Sequence, residues 1–346
     1  MLRCKRILII GAGGIGGVVG GLLSESGQDV TLVDQWVEHV EQIKRHGLVV
    51  ETPSNRHETH PRALHISELA QEQVPFDMAF IAVKSYDTDW ATMLARPYVD
   101  PQDGVFVVFQ NGINDERVAA IVGSEHTLGC VVTMAGAVYD PGVVLRTDTY
   151  GLAFKIAELD GADTARARDL VGMLQGAGDA EFSDDLWGER WSKLALNCMT
   201  NPVAGITGYS TAETAVNKDS FRIGVHLAAE VALVAKAYGQ KLHDIFGISP
   251  DGMIEAAQGR GFDEMYERLR EKASQSGSAG IPSFGQDVLK GRRTEIDFLN
   301  GYVSKRGREV GIATPFNDRI VQIVHDLGIG FKPNPAHLKP LIDMLQ

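Results

Sequence analysis

Short apolar runs alternate with amphipathic stretches along the first half of the chain. The apolar runs are rich in Val, Ile and Phe and almost continuously hydrophobic, which is typical of strands buried on both faces of a parallel sheet. They span residues 6–11, 29–34, 77–83 and 105–109, and the helical stretches between them span 14–26, 36–45, 88–95 and 115–122. Strands and helices in alternation predict a doubly wound α/β domain.

The pattern changes twice further along the chain. Residues 128–158 predict more strands, some of them antiparallel, around a turn at Asp140-Pro141-Gly142, and a helix follows near 164–174. From about residue 185 only helical periodicity remains, in stretches near 186–201, 220–238, 250–258, 262–273, 285–291, 295–308 and 315–328. We therefore expect an α/β domain over residues 1–184 and an all-α domain over residues 185–346. The Ser- and Gly-rich segment 274–283 predicts a flexible loop.

Size and charge narrow the classes of function. A length of 346 residues suits two domains of ordinary size. The formal net charge of -12 argues against nucleic acid or an anionic membrane as a partner, because both need a basic face. The three cysteines Cys4, Cys130 and Cys198 are spaced like neither a zinc site nor a disulfide framework. We therefore expect a cytoplasmic protein without a metal site.

One apolar segment near the start resembles the front of a signal peptide. Residues 7–23 are apolar or glycine throughout and follow three basic residues. Seven glycines in this run would weaken a membrane helix, and Ser24-Glu25-Ser26 offers no cleavage site of small residues. A cofactor-binding turn explains the glycine spacing better.

The glycine run fits the pattern G-x-G-x-x-G, which binds the diphosphate of a dinucleotide. Its residues are Gly11, Ala12, Gly13, Gly14, Ile15 and Gly16, and they lie between a predicted strand and a predicted helix. Gly11 would make the tight turn, Gly13 would let the backbone approach the diphosphate, and Gly16 would let helix and strand pack closely. The first domain is thus expected to be of the Rossmann type. The alternative is a glycine-rich turn that binds no ligand.

Three polar residues follow predicted strands on the same side of the sheet. Asp34 ends the second strand, where a carboxylate accepts hydrogen bonds from the ribose hydroxyls of NAD and would repel the 2′-phosphate of NADP. Its alternative role is to cap the following helix. Lys84 and Asn111 follow the next two strands, where ligands bind in such folds, although single polar residues there are often only solvated.

A polar row lies along the first helix of the second domain. Lys193, Asn197 and Asn201 are spaced i, i+4, i+8 and so lie on one face. Asparagine is a poor helix former, so two in one row make sense as hydrogen-bonding groups that line a pocket. The alternative is an ordinary solvated face of an amphipathic helix.

Five motifs together resemble those of the ketopantoate reductase family, in the order and spacing of that family. They are GAGGIG at 11–16, VKSYDT at 83–88, QNG at 110–112, WSKLALNCMTNP at 191–202 and RRTEIDFLNGY at 292–302. The resemblance implies a Rossmann domain followed by a helical domain, with the active site in the cleft between them. Such a protein transfers hydride from a nicotinamide cofactor to a 2-oxo acid.

The resemblance also implies roles for individual residues. Lys193 matches the lysine that protonates the carbonyl oxygen, and Glu295 matches the glutamate that contacts the substrate and supports this lysine. The positions that match substrate contacts are Asn197, Asn201 and Ser283, and those that match cofactor contacts are Lys84, Asn111 and, more loosely, Ala135.

Two departures from the family pattern affect the expected ligands. The family commonly carries an arginine after the second strand for NADP, whereas this chain has Asp34-Gln35, so we expect NAD(H), with NADP(H) as the family habit. The family also tends to carry a third substrate-binding asparagine near position 211, where this chain has Thr211.

These observations leave three hypotheses about function. The first is an NAD-linked reductase of ketopantoate (2-dehydropantoate) or a close 2-oxo acid. The second is a dehydrogenase of another hydroxy acid or sugar acid, and the third is a redox sensor that binds nucleotide without chemistry. A sensor would have no need of Lys193 and Glu295, which argues against it. The expected partners are the small acid and, as a homodimer, a second copy of the chain.

Overall fold

The computed structural model describes residues 4–148, 151–276 and 280–346. The chain divides into two compact units, Met1–Leu186 and Trp187–Gln346. Each unit is described by itself below.

An eight-stranded sheet forms the centre of the first unit. In chain order the strands of this unit are β1 Arg6–Ile10, β2 Asp29–Asp34, β3 Leu48–Glu51, β4 Arg56–Thr59, β5 Arg62–His65, β6 Met78–Ile81, β7 Val105–Val108, β8 Thr127–Thr133, β9 Gly136–Val138, β10 Val143–Arg146, β11 Ala153–Glu158 and β12 Asp179–Phe182. The main sheet has the order β12-β11-β8-β7-β6-β1-β2-β5. Its strands pair in parallel except β11 with β8, which confirms the predicted doubly wound sheet.

Helices cover both faces of this sheet. They are α1 Gly14–Glu25, α2 Val37–His46, α3 Thr88–Ala95, α4 Asp115–Val122 and α5 Ala165–Leu174, with short 3₁₀ helices at Ile66–Gln71, Ser85–Asp87, Arg96–Tyr98 and Ser124–His126. Side chains of β1 alternate between two hydrophobic clusters: Ile7 and Ile9 join one, and Leu8 and Ile10 join the other. This explains why the strand is hydrophobic at every position from Ile7 to Ile10.

A second, smaller sheet was not predicted from the sequence. Its order is β4-β3-β10-β9, with β3 and β10 parallel and the other pairs antiparallel. The predicted turn at Asp140-Pro141-Gly142 is confirmed, because it joins β9 to β10 and Gly142 has φ +78°. Strands β3, β4, β5 and β12 were missed. Each has only four residues and, unlike the equally short β6 and β7, each includes at least one charged residue, so their local patterns are weaker.

Helix α1 lies between the two sheets. A Cβ atom at Gly20 would stand 2.6 Å from the Leu32 side chain of the main sheet. A Cβ atom at Gly17 would stand 2.6 Å from the Val144 side chain of the small sheet. Both distances are far below van der Waals contact, so a side chain is excluded at either of these two positions, which explains why the glycines continue past the cofactor motif.

The second unit is helical, as predicted. Its helices are α6 Leu186–Thr207, α7 Thr211–Val216, α8 Lys218–Ala237, α9 Pro250–Ala257, α10 Phe262–Ser276, α11 Ser283–Leu289, α12 Asn300–Val310, α13 Pro315–Leu327 and α14 Lys339–Ile342, with 3₁₀ helices at Ile296–Phe298, Pro335–Leu338 and Asp343–Leu345. Among the described residues, an isolated bridge between Ile245 and Ile248 is the only β-pairing in this unit.

The bounds of several predicted helices were wrong. Helix α6 continues through Pro202 to Thr207, and the stretch predicted as one helix over 295–308 is a 3₁₀ helix followed by α12. The break falls at Leu299, whose φ of -106° and ψ of -94° are not helical. Of the segment predicted as a loop, residues 274–276 belong to α10, and residues 277–279 lie outside the described residues.

Two further features of the described residues concern membranes and metal ions. Among these residues, no helix combines the length and the apolar character needed to cross a bilayer. No group of three or more His, Cys, Asp or Glu side chains in the same part of the chain is arranged to hold a metal ion.

Candidate active site

The glycine-rich loop connects β1 to α1 at the carboxyl edge of the main sheet. Gly11 has φ +101°, and a Cβ atom there would stand 3.0 Å from the backbone of Ala82 and Val83. Nothing lies within 4 Å of the place where a Cβ of Gly13 would stand. Gly13 caps α1 without a side-chain hydrogen bond, so the first turn of the helix presents backbone N–H groups suited to an anion. This loop fits the diphosphate of a dinucleotide.

The carboxylate of Asp34 accepts two backbone hydrogen bonds. Its Oδ2 accepts from the N–H of Ala12 at 2.7 Å, and its Oδ1 accepts from the N–H of Trp36 at 2.9 Å. The side chain therefore fixes both the glycine-rich loop and the start of α2. Each carboxylate oxygen has a second acceptor direction, so these bonds leave capacity for a ribose hydroxyl.

His39 is a part of this loop's support that the sequence analysis missed. Its Nδ1 accepts from the N–H of Gly142 at 2.9 Å, so the ring proton is on Nε2, which donates to the Ala12 carbonyl at 3.1 Å. The ring is buried, and burial lowers the pKa of His39 although nearby Asp34 and the Ala12 carbonyl oppose this fall. A neutral His39 thus joins the glycine-rich loop to the small sheet. Its one sequence signal was a polar residue on the apolar face of α2.

Lys84 and Asn111 follow the neighbouring strands β6 and β7, and both are half-buried. The Asn111 carbonyl accepts from the Ser85 hydroxyl at 3.1 Å and from the Asn114 side-chain amide at 2.9 Å. The two strand ends are therefore joined through Ser85. Together with the glycine-rich loop and Asp34, the structure brings these predicted cofactor residues to one edge of the main sheet.

Ala135 lies in the turn between β8 and β9 and is held on both sides of its peptide. Its N–H donates to Oδ2 of Asp148 at 2.7 Å, and its carbonyl accepts from the N–H of Thr147 at 2.8 Å. The next residue, Gly136, approaches the helix start so closely that a Cβ at Gly14 would stand 2.5 Å from its carbonyl carbon. The turn that carries Ala135 thus lies beside the glycine-rich loop.

The predicted polar row on α6 is largely buried. Asn197 is 5% exposed and Asn201 is 8% exposed, whereas Lys193 is half-buried. The hydroxyl of Thr200 donates to Oδ1 of Asn201 at 3.2 Å. Buried amides inside a helix are unfavourable unless they are hydrogen-bonded, so this row is not an ordinary solvated face.

The remaining predicted residues lie on three other segments of the second unit. Glu295 is 5% exposed and precedes the 3₁₀ helix Ile296–Phe298. Thr211 begins α7, and its hydroxyl and its N–H both donate to the Gly280 carbonyl at 3.2 Å. Ser283 begins α11 three residues after Gly280 and is half-buried. The structure therefore brings Thr211 to the segment that leads into Ser283.

Comparison with known proteins supports a single family. The sequence profile of the N-terminal part of the family described as ketopantoate reductase PanE/ApbA matches residues 7–161, and that of its C-terminal part matches residues 185–328. A 2-dehydropantoate 2-reductase of Pyrococcus horikoshii is 29% identical over 336 residues, which cover 94% of this chain and 100% of the relative.

Two solved structures share the fold over nearly the whole chain. The ternary structure of D-mandelate dehydrogenase with NADH and anilino(oxo)acetate has a TM-score of 0.79 at 25% identity, and covers 92% of this chain and 97% of that one. The PanE/ApbA family ketopantoate reductase of Ralstonia eutropha JMP134 has a TM-score of 0.74 at 25% identity, and covers 98% and 99%. Since both units match, the chain belongs to the ketopantoate reductase family of oxidoreductases.

Proposed function

We propose that this protein reduces the ketone of a small 2-oxo acid with NADH, and that 2-dehydropantoate, reduced to pantoate, is its first candidate substrate. The observation that carries the proposal is the buried polar row on α6, where Asn197 and Asn201 share a face with Lys193. The relatives named 2-dehydropantoate 2-reductase support the substrate, and the D-mandelate dehydrogenase structure with NADH supports the cofactor.

The residues at the edge of the main sheet suit a nicotinamide dinucleotide. The open space over Gly13 and the N–H groups of the first turn of α1 fit the diphosphate. In this proposal Asp34 accepts from the ribose hydroxyls, and Lys84, Asn111 and Ala135 make the further cofactor contacts. A bound reduced nicotinamide supplies the hydride.

The second unit supplies the general acid and the residues that bind the substrate. As hydride reaches the carbonyl carbon, negative charge grows on the carbonyl oxygen, and the Lys193 ammonium donates a hydrogen bond and then its proton to that oxygen. Glu295 holds the lysine and contacts the substrate. The remaining polar residues bind the carboxylate and hydroxyl groups of the substrate; they are Asn197, Asn201, Thr211 and Ser283.

A second candidate function is the dehydrogenation of another hydroxy acid. Thr211 favours it, because a short hydroxyl already bonded to Gly280 replaces a longer amide. A pocket with one hydrogen-bonding group fewer discriminates less between acids.

The test is a rate measurement at the NADH absorbance band with a panel of 2-oxo acids and the corresponding hydroxy acids. We expect the native protein to reduce 2-dehydropantoate and Lys193→Ala to be 10²–10⁴-fold slower, the typical contribution of general acid catalysis. Lys305→Ala, at an exposed lysine of α12, is the matched control and should keep the native rate. Cofactor binding without turnover of any acid would instead support the redox-sensor hypothesis.

A further inference from the structure

A proline interrupts the hydrogen bonding of the helix that carries the proposed substrate residues. Pro202 lies inside α6 and has no N–H, so the carbonyl four residues earlier, that of Cys198, loses its helical donor. Cys198 is 0% exposed, so bulk water does not replace that donor. Buried carbonyl groups are nearly always hydrogen-bonded in folded proteins, and another group has to donate here.

The side chain of Asn300 provides that donor. Its Nδ2 lies 3.5 Å from the Cys198 carbonyl oxygen and 2.9 Å from Oδ1 of Asn317. Asn300 is 0% exposed and begins α12. The side-chain amide of Asn300 therefore donates one hydrogen bond to α6 and one to α13.

The orientation of both amides follows from their partners. Nδ2 of Asn317 donates to the Leu227 carbonyl at 3.2 Å and to Oε2 of Glu230 at 2.7 Å, which turns its Oδ1 toward Asn300. The Cys198 carbonyl can only accept, so Nδ2 of Asn300 must face it. In the hydrogen-bonded chain from Glu230 through both asparagines to Cys198, each donor and acceptor is therefore fixed. Neither side-chain amide can be flipped without placing two acceptors against each other.

The two ends of Asn300 reach segments with a proposed role in substrate binding. Cys198 lies between Asn197 and Asn201 on α6. On the other side, Asn300 follows the turn of Glu295, whose carbonyl accepts from the N–H groups of Phe298 and Leu299 at 2.9 and 3.1 Å. A shift of Asn300 would therefore move both segments relative to each other.

We propose that Asn300 is a positioning residue for substrate reduction: its amide replaces the helical donor that Pro202 removes and so holds Asn197 and Asn201 in place against the turn of Glu295. Asn300 itself does not touch the substrate. The catalytic part of this inference rests on the proposed function, whereas the structural part concerns α6 alone.

A double-mutant cycle with Pro202 tests the catalytic part. Asn300→Ala should lower kcat for the 2-oxo acid by about ten- to hundredfold, the scale of small misplacements of binding groups, and leave the KM for NADH within about twofold. Pro202→Ala restores an N–H opposite the Cys198 carbonyl, so adding it to Asn300→Ala should recover at least part of the lost kcat. Ser304→Ala is the matched control, since Ser304 is 3% exposed on the next turn of α12 and should keep the native kcat.

Hydrogen exchange of α6 tests the structural part without any turnover. The backbone N–H groups around Cys198 should exchange faster in Asn300→Ala than in the native protein and in Ser304→Ala, and Pro202→Ala should reverse this. Should Asn300→Ala fail to fold, Asn300→Leu, which keeps the number and branching of the side-chain heavy atoms, takes its place.

Two results would overturn the inference. One is that the hydrogen-exchange rates in α6 do not change when Asn300 is replaced. The other is that the double variant has the same low kcat and the same fast exchange in α6 as Asn300→Ala alone. A native protein that reduces no 2-oxo acid would refute the proposed function instead, and the exchange rates would still decide the role of Asn300.

Discussion

The carboxylate of Asp34 and the backbone N–H of Ala12 form a 2.7 Å hydrogen bond that joins the end of β2 to the glycine-rich loop. A negative charge is thus fixed beside the loop proposed to bind the diphosphate. In this position it suits a ribose hydroxyl and opposes a 2′-phosphate.

We expect NADH to bind about tenfold to a hundredfold more tightly than NADPH, because a mismatched charge costs about 1–3 kcal/mol. Asp34→Asn keeps the shape and removes the charge, so it should narrow this difference, and Glu38→Gln, at an exposed carboxylate of α2, should not. Fluorescence titration of each variant with both cofactors measures the ratio. Equal or tighter NADPH binding by the native protein would contradict the role given to Asp34.

His39 provides a second test of the same loop. Replacing it by Phe removes the bonds to Ala12 and Gly142, which should cost about 1–3 kcal/mol of unfolding free energy for two hydrogen bonds and weaken cofactor binding. Denaturant titration measures the unfolding free energy, and cofactor titration measures the affinity for the dinucleotide. His46→Phe, at an exposed position of α2, is the control.

The lowered pKa of His39 also predicts a pH effect. The unfolded chain takes up a proton near pH 6.5 whereas the folded protein resists protonation, so stability from this group is present above pH 6.5 and is lost as the pH falls. His39→Phe should therefore lose less stability than the native protein on acidification from pH 7. Parallel losses in the two proteins would show that His39 is not responsible.

Glu230 predicts a pH effect of the opposite sign. Burial raises the pKa of this carboxyl to about 7, against the hydrogen bonds donated by Asn317 and Phe316. From pH 4.5 to about 7 the folded protein keeps a proton that the unfolded chain has released, so stability falls as the pH rises, by about 3 kcal/mol in all.

The variant Glu230→Gln removes this titration, so its stability should fall less than that of the native protein between pH 5 and pH 8. Urea unfolding at four pH values in this range measures the difference. Glu264→Gln, at an exposed position of α10, should follow the native curve. If the difference in unfolding free energy between Glu230→Gln and the native protein stayed constant over this pH range, the prediction would be wrong.

Elements with a clear local pattern of hydrophobic residues could be predicted from the sequence. Elements that form through contacts with residues far away in the chain could not. Four consecutive residues of β1, Ile7 to Ile10, are hydrophobic because both faces of the strand are buried, and this run is visible in the local sequence. Strand β4, with the sequence RHET, pairs with β3, and nothing in its own pattern indicates this pairing. The predicted helix over residues 186–201 stopped before Pro202, whereas α6 continues to Thr207. The group that donates to the Cys198 carbonyl in place of Pro202 belongs to Asn300, 98 residues after Pro202, so no local pattern shows it. The spacing of Asn197 and Asn201 singled out their row on α6 but left a solvated face as the alternative, whereas His39 shares its face with apolar residues and gave no comparable signal.

In the proposed function, Thr211 influences how strictly the substrate is selected. We expect Thr211→Asn to raise the preference for 2-dehydropantoate over other 2-oxo acids by roughly two- to tenfold, the value of about one hydrogen bond. The ratio of kcat/KM between the acids in both proteins measures it. An unchanged ratio, together with a native protein that already prefers 2-dehydropantoate strongly, would place Thr211 outside the substrate pocket.

The glycines of α1 bear on the order in which the protein folds. Five of the twelve residues of this helix are glycine, and each destabilises an isolated helix by about 1 kcal/mol relative to alanine. Local sequence therefore cannot nucleate α1, which becomes favourable only when both sheets are present to enclose it. The diphosphate site would accordingly be among the last parts of the first unit to form, so binding of the dinucleotide reports that both sheets are complete.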